Sequence, residues 1–310
     1  MAGGICLSES IRMVSYIYKG CGISISSELP LPELVPGDAT QADLSIRIGP
    51  VPDQPTAQVT DIGPGYMASA HEYIFRLPNV AGYYARDGKE IWIEPAKNAD
   101  AESIRHFLLN QVLPQILFQR NLIPLKASGI IYNNQVVLFV GRSGAGKSTL
   151  LASLKQRGYQ VFTDDMCVMR HNAKGEIEIL AGYATIKLWQ DAYKILQLGK
   201  PDESMRIRPQ LPKYNTFIHE EFLSYPYQAA TTIFLLEATI QKSDYTAGVS
   251  YASLFKAHTD SLHGKSFNKR QLVFSVLSTF LKNKTAYRIR RSVHQDSIDE
   301  MVKFIETKIC

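Results

Sequence analysis

Between residues 14 and 95, apolar and polar positions alternate in short bursts, the mark of half-buried strands. Segments 14–18, 22–25, 42–48, 72–77, 82–86 and 90–94 each carry part of that period-2 pattern. Asp87-Gly88 falls between the last two and predicts a hairpin, because Gly accepts the positive φ that tight turns need. The stretches 29–36 and 49–64 are Pro-rich and read as connections. Residues 1–98 therefore form a small β-rich unit without an obvious catalytic cluster.

The period changes near Asn98. Asp100 is placed to cap a helix on which Ile104, Phe107, Leu108, Val112, Leu113, Ile116 and Leu117 share one face. Pro114 is expected to bend that helix, since it lacks a backbone donor. Strands follow at 127–132 and 136–140, joined by an Asn133-Asn134 turn, and then a helix at 147–156 stopped by Gly158. An apolar strand at 159–163 delivers Asp164 and Asp165. Beyond it the pattern predicts a helix at 190–198, a Pro- and Arg-containing loop at 201–214, and a strand at 231–236. A helix at 267–280, a strand at 286–289 and an amphipathic helix at 296–309 complete the reading. Strands interleaved with helices make residues 99–310 an α/β unit.

Composition narrows the function classes. A net charge of +5 over 310 residues is too dilute for a nucleic-acid binder, and the basic groups Lys282/Lys284 and Arg288/Arg290/Arg291 read as solvated edges. The longest apolar candidate, 107–116, is broken by Asn110, Gln111, Pro114 and Gln115, so no membrane span is expected. The N-terminus shows no charged region leading into an apolar core, so no signal peptide is expected. Cys6, Cys21, Cys167 and Cys310 lie far apart without zinc spacing, which fits a reduced, cytoplasmic setting. The seven histidines (His71, His106, His171, His219, His258, His263, His294) have no metal spacing and read as surface or packing residues.

One run carries specific chemistry. Gly141-Arg142-Ser143-Gly144-Ala145-Gly146-Lys147-Ser148, followed by Thr149, matches G-x-x-x-x-G-K-S between an apolar strand and a helix. Gly144 and Gly146 let backbone N–H groups curl around a β-phosphate, and the following helix turns its positive end to the same anion. Lys147 would reach the β- and γ-phosphates, with the Ser148 hydroxyl as a Mg²⁺ ligand. ATP and Mg²⁺ are the expected cofactors.

Thr163-Asp164-Asp165 stands one helix and one strand further on. A strand-terminal Asp pair often only caps a turn. Behind a phosphate loop, one carboxylate can hold Mg²⁺ while the other takes a proton from an incoming hydroxyl. No LSGGQ-type run, no H-R-D and D-F-G pair, and no Asn/Thr-Lys-x-Asp motif is present, which argues against transporter ATPases, ordinary protein kinases and small GTPases.

Several of these segments together resemble a known family. Pro124-Leu125-Lys126-Ala127-Ser128-Gly129, the Gly141–Leu150 run, Arg157-Gly158-Tyr159 and Thr163-Asp164-Asp165 look like the catalytic half of the HPr serine kinases. The closer likeness is to the HPr-kinase-like enzymes of lasso-peptide clusters. It is carried by 22–34, with its Ser-Glu-Leu-Pro-Leu-Pro-Glu-Leu, by Lys187-Leu188-Trp189 and by Arg208-Pro209-Gln210-Leu211-Pro212-Lys213-Tyr214. Such a resemblance implies a mixed-sheet P-loop kinase core of the HPr kinase and phosphoenolpyruvate carboxykinase type, behind the β-rich N-terminal domain. It implies ATP- and Mg²⁺-dependent phosphorylation of the C-terminal serine of a precursor peptide. The partner would be that peptide, and a homo-oligomer is in keeping with the family. Asp164 would be the base and Asp165 a Mg²⁺ ligand, with Arg208 and Lys213 near the transferred phosphate and Arg206 a weaker candidate.

Where relatives carry His in a His-Ala-Ser segment, this chain has Lys126. A fixed cation there can hold the γ-phosphate or lower the pKa of Asp164, or it can mark an altered activity. Two other readings stay open: a kinase or phosphorylase acting on a folded phosphocarrier, and a nucleotide-binding module without turnover whose N-terminal unit binds peptide. The polar stretch His263-Gly264-Lys265-Ser266 suggests a lid over the substrate.

Overall fold

The computed structural model describes residues 15–222, 227–228, 230–250, 253–254, 256, 269–282, 284–292 and 297–309. Cys6, Cys310, His258, His263, His294, Asp296 and the 263–266 stretch lie outside these residues. Among the described residues the protein is a mixed α/β fold built on two large sheets and a few helices.

The first sheet has nine strands: β1 (Tyr16–Gly20), β2 (Ile23–Ser27), β3 (Val35–Pro36), β4 (Leu44–Ile48), β5 (Asp61–Gly63), β6 (Tyr66–Ala68), β7 (Glu72–Leu77), β8 (Ala81–Arg86) and β9 (Glu90–Pro95). Their order is β3-β1-β2-β4-β9-β8-β7-β6-β5, parallel at β2·β4 and β4·β9 and antiparallel elsewhere. The β8–β9 turn holds Asp87 at φ 53° and Gly88 at φ 65°, the left-handed pair that the sequence predicts there. β5 and β6 occupy ground expected to be connection or left unassigned; they are three residues each, too short to show a period.

A helical segment then leads to the second sheet. Asp100 caps α1 (Ala101–Phe107) by accepting from the Ser103 amide at 2.7 Å. A π-helical turn (Leu108–Val112) follows, and α2 (Leu113–Gln119) completes the rod. Pro114 stands in the first turn of α2, where its missing donor costs least.

The second sheet holds β10 (Ile123–Leu125), β11 (Ala127–Tyr132), β12 (Gln135–Val140), β13 (Gln160–His171), β14 (Ile177–Tyr183), and, after the separate hairpin of β15 (Thr185–Trp189) with β16 (Lys213–Phe217), β17 (Tyr227–Gln228), β18 (Ala230–Thr239), β19 (Asp244–Ala247) and β20 (Thr285–Ser292). The order is β17-β14-β13-β11-β12-β18-β20-β19, with β10 alongside β13. Within this sheet only β12·β18 and β18·β20 are parallel among the described pairs. α3 (Lys147–Gln156), α4 (Gln190–Ile195), α5 (Arg270–Leu281) and α6 (Ile298–Ile309) complete the described elements that bear on the site. α4 is shorter than the expected 190–198, because Gln197 and Gly199 adopt positive φ and unwind its end.

β13 departs most from expectation. Its apolar run stops at the aspartates, yet the strand runs twelve residues straight through them. Residues 160–163 pair with β11; Asp164 pairs with Tyr183 of β14 and, after a register shift, the strand from Cys167 onward pairs with β14 and β10. Asp165 sits in this bulge at φ 70°. The main hydrophobic core passes from Ile25, Leu44 and Tyr83 of the first sheet to Leu138, Phe162 and Phe234 of the second. The Cys21 amide reaches across to the carbonyls of Ala181 and Gly182 at 3.1 and 3.3 Å.

Candidate active site

The glycine-rich loop leaves β12 at the end of the parallel strands, where such sheets present ligand crevices. Gly141 is required there: at φ 156°, a Cβ would lie 2.3 Å from the Leu236 carbonyl of β18. Gly146, at φ 93°, caps α3 in the left-handed region, and a Cβ would press on Arg291 Nε at 3.2 Å. Arg142, Ser143 and Gly144 are exposed on the loop's outer rim, Ala145 is buried, and Thr149 is half-buried in α3. Lys147 folds back over the loop, donating to the carbonyls of Gly141 at 2.8 Å and Arg142 at 3.0 Å. Burial, only partly countered by Asp165 and Asp164, lowers its pKa to about 8.

Ser148 ties the loop to β13. Its Oγ donates to Asp164 Oδ1 at 2.9 Å, and Ser128 of β11 donates to the same oxygen at 2.6 Å. Asp164 Oδ2 accepts from the Lys187 amide of β15 at 2.9 Å, and the side chain is wholly buried. Asp165 is held by charge instead. Lys126 Nζ lies 2.9 Å from its Oδ1 and Lys187 Nζ 2.9 Å from its Oδ2, with 20 % of the side chain exposed. Burial would raise its pKa, but Lys126, Lys187 and Lys213 outweigh it and hold the carboxylate well below its ordinary range.

Local pairing explains this convergence. Leu125 pairs with Cys167 and Gly129 with Thr163, so the one-residue break between β10 and β11, occupied by Lys126, lies opposite the bulge. Lys126 also donates to Asn110 Oδ1 at 3.0 Å, in the π-helical turn. π-turns of this kind recur at functional sites. Asn110 Nδ2 donates to the His106 carbonyl at 2.8 Å and lies 3.4 Å from its ring Nδ1. Burial, reinforced by Lys187 and opposed by Asp165, lowers the His106 pKa to about 4, so the ring is neutral at pH 7.

Other candidates spread more widely. Lys213 sits over the Trp189 ring at 5.7 Å, its pKa lowered by burial. Arg208 lies over the Phe107 ring at 5.1 Å and donates to Gln210 Oε1 at 3.1 Å. Arg206 is engaged elsewhere, with Glu203 and with the Tyr214 hydroxyl at 2.9 Å. Sequence reasoning gave no role to Asn110, His106, Ser128 or Lys187. A signal existed for two of them: Asn110 interrupts an apolar helical face, and Lys187 is a lone charge in the run 184–188.

The oxygen set of Ser148 and Asp164 fits a hard divalent cation that completes its shell with phosphate and water. Among the described residues no group of three or more His, Cys, Asp or Glu side chains is placed to hold a metal, and no helix is long and apolar enough to cross a membrane.

No family model matches the chain, and no curated protein matches it. Among solved structures, the HPr(Ser) kinase/phosphatase from Coxiella burnetii superimposes with a TM-score of 0.30 at 12% identity, covering 59% of this chain and 91% of that one. A superposition that loose fixes neither the fold nor the chemistry of this protein.

Proposed function

We propose that the protein is an ATP- and Mg²⁺-dependent P-loop kinase of the HPr-kinase-like kind that phosphorylates a serine hydroxyl of a precursor peptide, the C-terminal serine of a lasso-peptide precursor being the best candidate. The observation that carries this reading is the chain of contacts from the glycine-rich loop through Ser148 to Asp164, with a second, cation-held carboxylate at Asp165 beside it. The family-like segments of the sequence supply the acceptor class.

Backbone amides of 141–146 and the Lys147 ammonium bind the β- and γ-phosphates; a polyphosphate beside Lys147 restores the charge that burial weakens. Ser148 and Asp164 would hold Mg²⁺, which would supply charge neutralisation to the nucleotide phosphates. The acceptor Oγ forms its bond to Pγ, the bond from Pγ to the bridging β,γ-oxygen breaks, and ADP leaves. The hydroxyl proton passes to Asp165. A carboxylate held so low is a weak base, which suffices when bonding to the nucleophile is slight and the proton departs late. Lys126 and Lys213 would then neutralise charge on the transferring group beside Asp165.

This division of labour exchanges the roles that the family resemblance implies for the two aspartates. It is supported by the contacts: Asp164 is bonded to the loop serine, whereas Asp165 retains an exposed edge toward an acceptor. Incubation with Mg-ATP and a Ser-terminated precursor peptide is expected to add one phosphate mass. Transfer to a folded phosphocarrier in place of the peptide would select that substrate class. ATP binding with no transfer to any hydroxyl would overturn the kinase reading in favour of a binding module.

A further inference from the structure

Lys187 touches both aspartates. Its backbone N–H donates to Asp164 Oδ2 and its Nζ donates to Asp165 Oδ2, each at 2.9 Å. Neighbouring residues of a regular strand point to opposite faces, so one residue on a facing strand does not ordinarily reach both side chains. Here the bulge in β13 and the left-handed Asp165 turn both carboxylates toward β15.

The lysine is itself held. Its side chain is 5 % exposed, its ammonium lies 5.1 Å from the centre of the Tyr183 ring, and its backbone pairs with Asn215 of β16. Tyr183 in turn donates to the Leu109 carbonyl of the π-turn at 2.5 Å. The stem is thus packed on a ring anchored to the same helical segment that bears Asn110. Burial tends to lower the pKa of such a lysine; Asp165 more than compensates and raises it.

We infer that Lys187 is a positioning residue that sets the two carboxylates relative to each other, Asp164 toward the loop serine and Asp165 toward the acceptor. This rests on the kinase reading above. Lys126 holds the other oxygen of Asp165 but makes no described bond to Asp164, so it cannot serve in this way alone.

The test uses the full chain with Lys187→Met, Asp165→Asn and the double variant, Mg-ATP and the Ser-terminated peptide. Lys187→Met is expected to lower kcat by about a hundredfold while the KM for ATP stays within about threefold, as for a lost alignment rather than a lost binding contact. In the Asp165→Asn background the same change is expected to cost under about threefold, because its target is gone. A Lys187→Met protein with unchanged kcat, or fully additive losses, overturns the inference. Should Lys187→Met fail to fold, Lys187→Gln serves in the same cycle. Denaturant unfolding of the four proteins without substrate gives an independent reading, with non-additive midpoints expected and additive ones counting against the clamp. If the unaltered chain transfers no phosphate, the kinase reading falls, and the unfolding cycle still decides whether Lys187 and Asp165 are coupled.

Discussion

Each sheet carries a carboxylate enclosed by donors, Glu72 buried and Asp165 half-buried, and the two are held in opposite ways. Glu72 in β7 is surrounded by neutral donors: the Tyr84 hydroxyl at 2.5 Å, the Thr56 amide and hydroxyl at 3.1 and 3.0 Å, the Ala57 amide at 2.9 Å and the Ser69 hydroxyl at 3.3 Å. Asp165 in β13 is held by two ammonium groups. Burial tends to raise Glu72, but its donors outweigh that and lower it to about 2. The neutral cage belongs to the fold and fits no other anion. The lysines around Asp165 can be shared with an arriving phosphate, which makes that carboxylate chemically available. The first arrangement fastens loop 56–57 to the sheet, and the second, on the proposed function, serves phosphoryl transfer.

The comparison can be broken by substitution. Asp165→Asn should reduce kcat by about a thousandfold or more while nucleotide affinity changes by less than about threefold, measured by transfer assay and calorimetry. Lys147→Met should weaken Mg-ATP binding by at least about tenfold in the same titration, because the ammonium that faces the phosphates is lost. Glu72→Gln should leave transfer per folded molecule unchanged but lower stability by about 2–3 kcal/mol near neutral pH.

The sign for Glu72 follows from its lowered folded-state pKa. Its contribution is present in full above about 4.5 and is lost as pH falls toward 2, so thermal unfolding of the unaltered chain should weaken across that window and the Gln variant should lack that component. The smallest effect should come from His106. The unfolded chain takes up a proton near 6.5 that the folded ring resists down to about 4, so stability falls as pH drops through that interval. His106→Asn should flatten this dependence by about 1–2 kcal/mol, discounted for partial exposure.

What the sequence revealed, it revealed through local period and turn chemistry. The strand at 72–77 and the helix at 147–156 fall where the pattern puts them, the helix being bounded by Gly146 and Gly158. β14 and β15 were not legible: they are buried nearly throughout and so show no alternation. The π-turn at Leu108–Val112 was equally hidden, since it shifts helical spacing by a single residue. In the site, the glycine loop and the Asp pair announce themselves, being contiguous. Asn110 and Lys187 do not, because they meet Lys126 and Asp165 only through pairing across 16 and 22 positions of chain.

The left-handed backbone at Asp165 narrows which replacements can be interpreted. Asn accepts that conformation almost as readily as Asp, whereas Ala resists it by about 1 kcal/mol. An Ala substitution therefore invites the bulge to relax into regular strand, which would turn the 164–166 segment to other faces and loosen the glycine loop through Ser148. Drift at this position is confined to Asp, Asn and Gly by geometry before chemistry has any say, and an alanine scan would report the backbone and the carboxylate as one number.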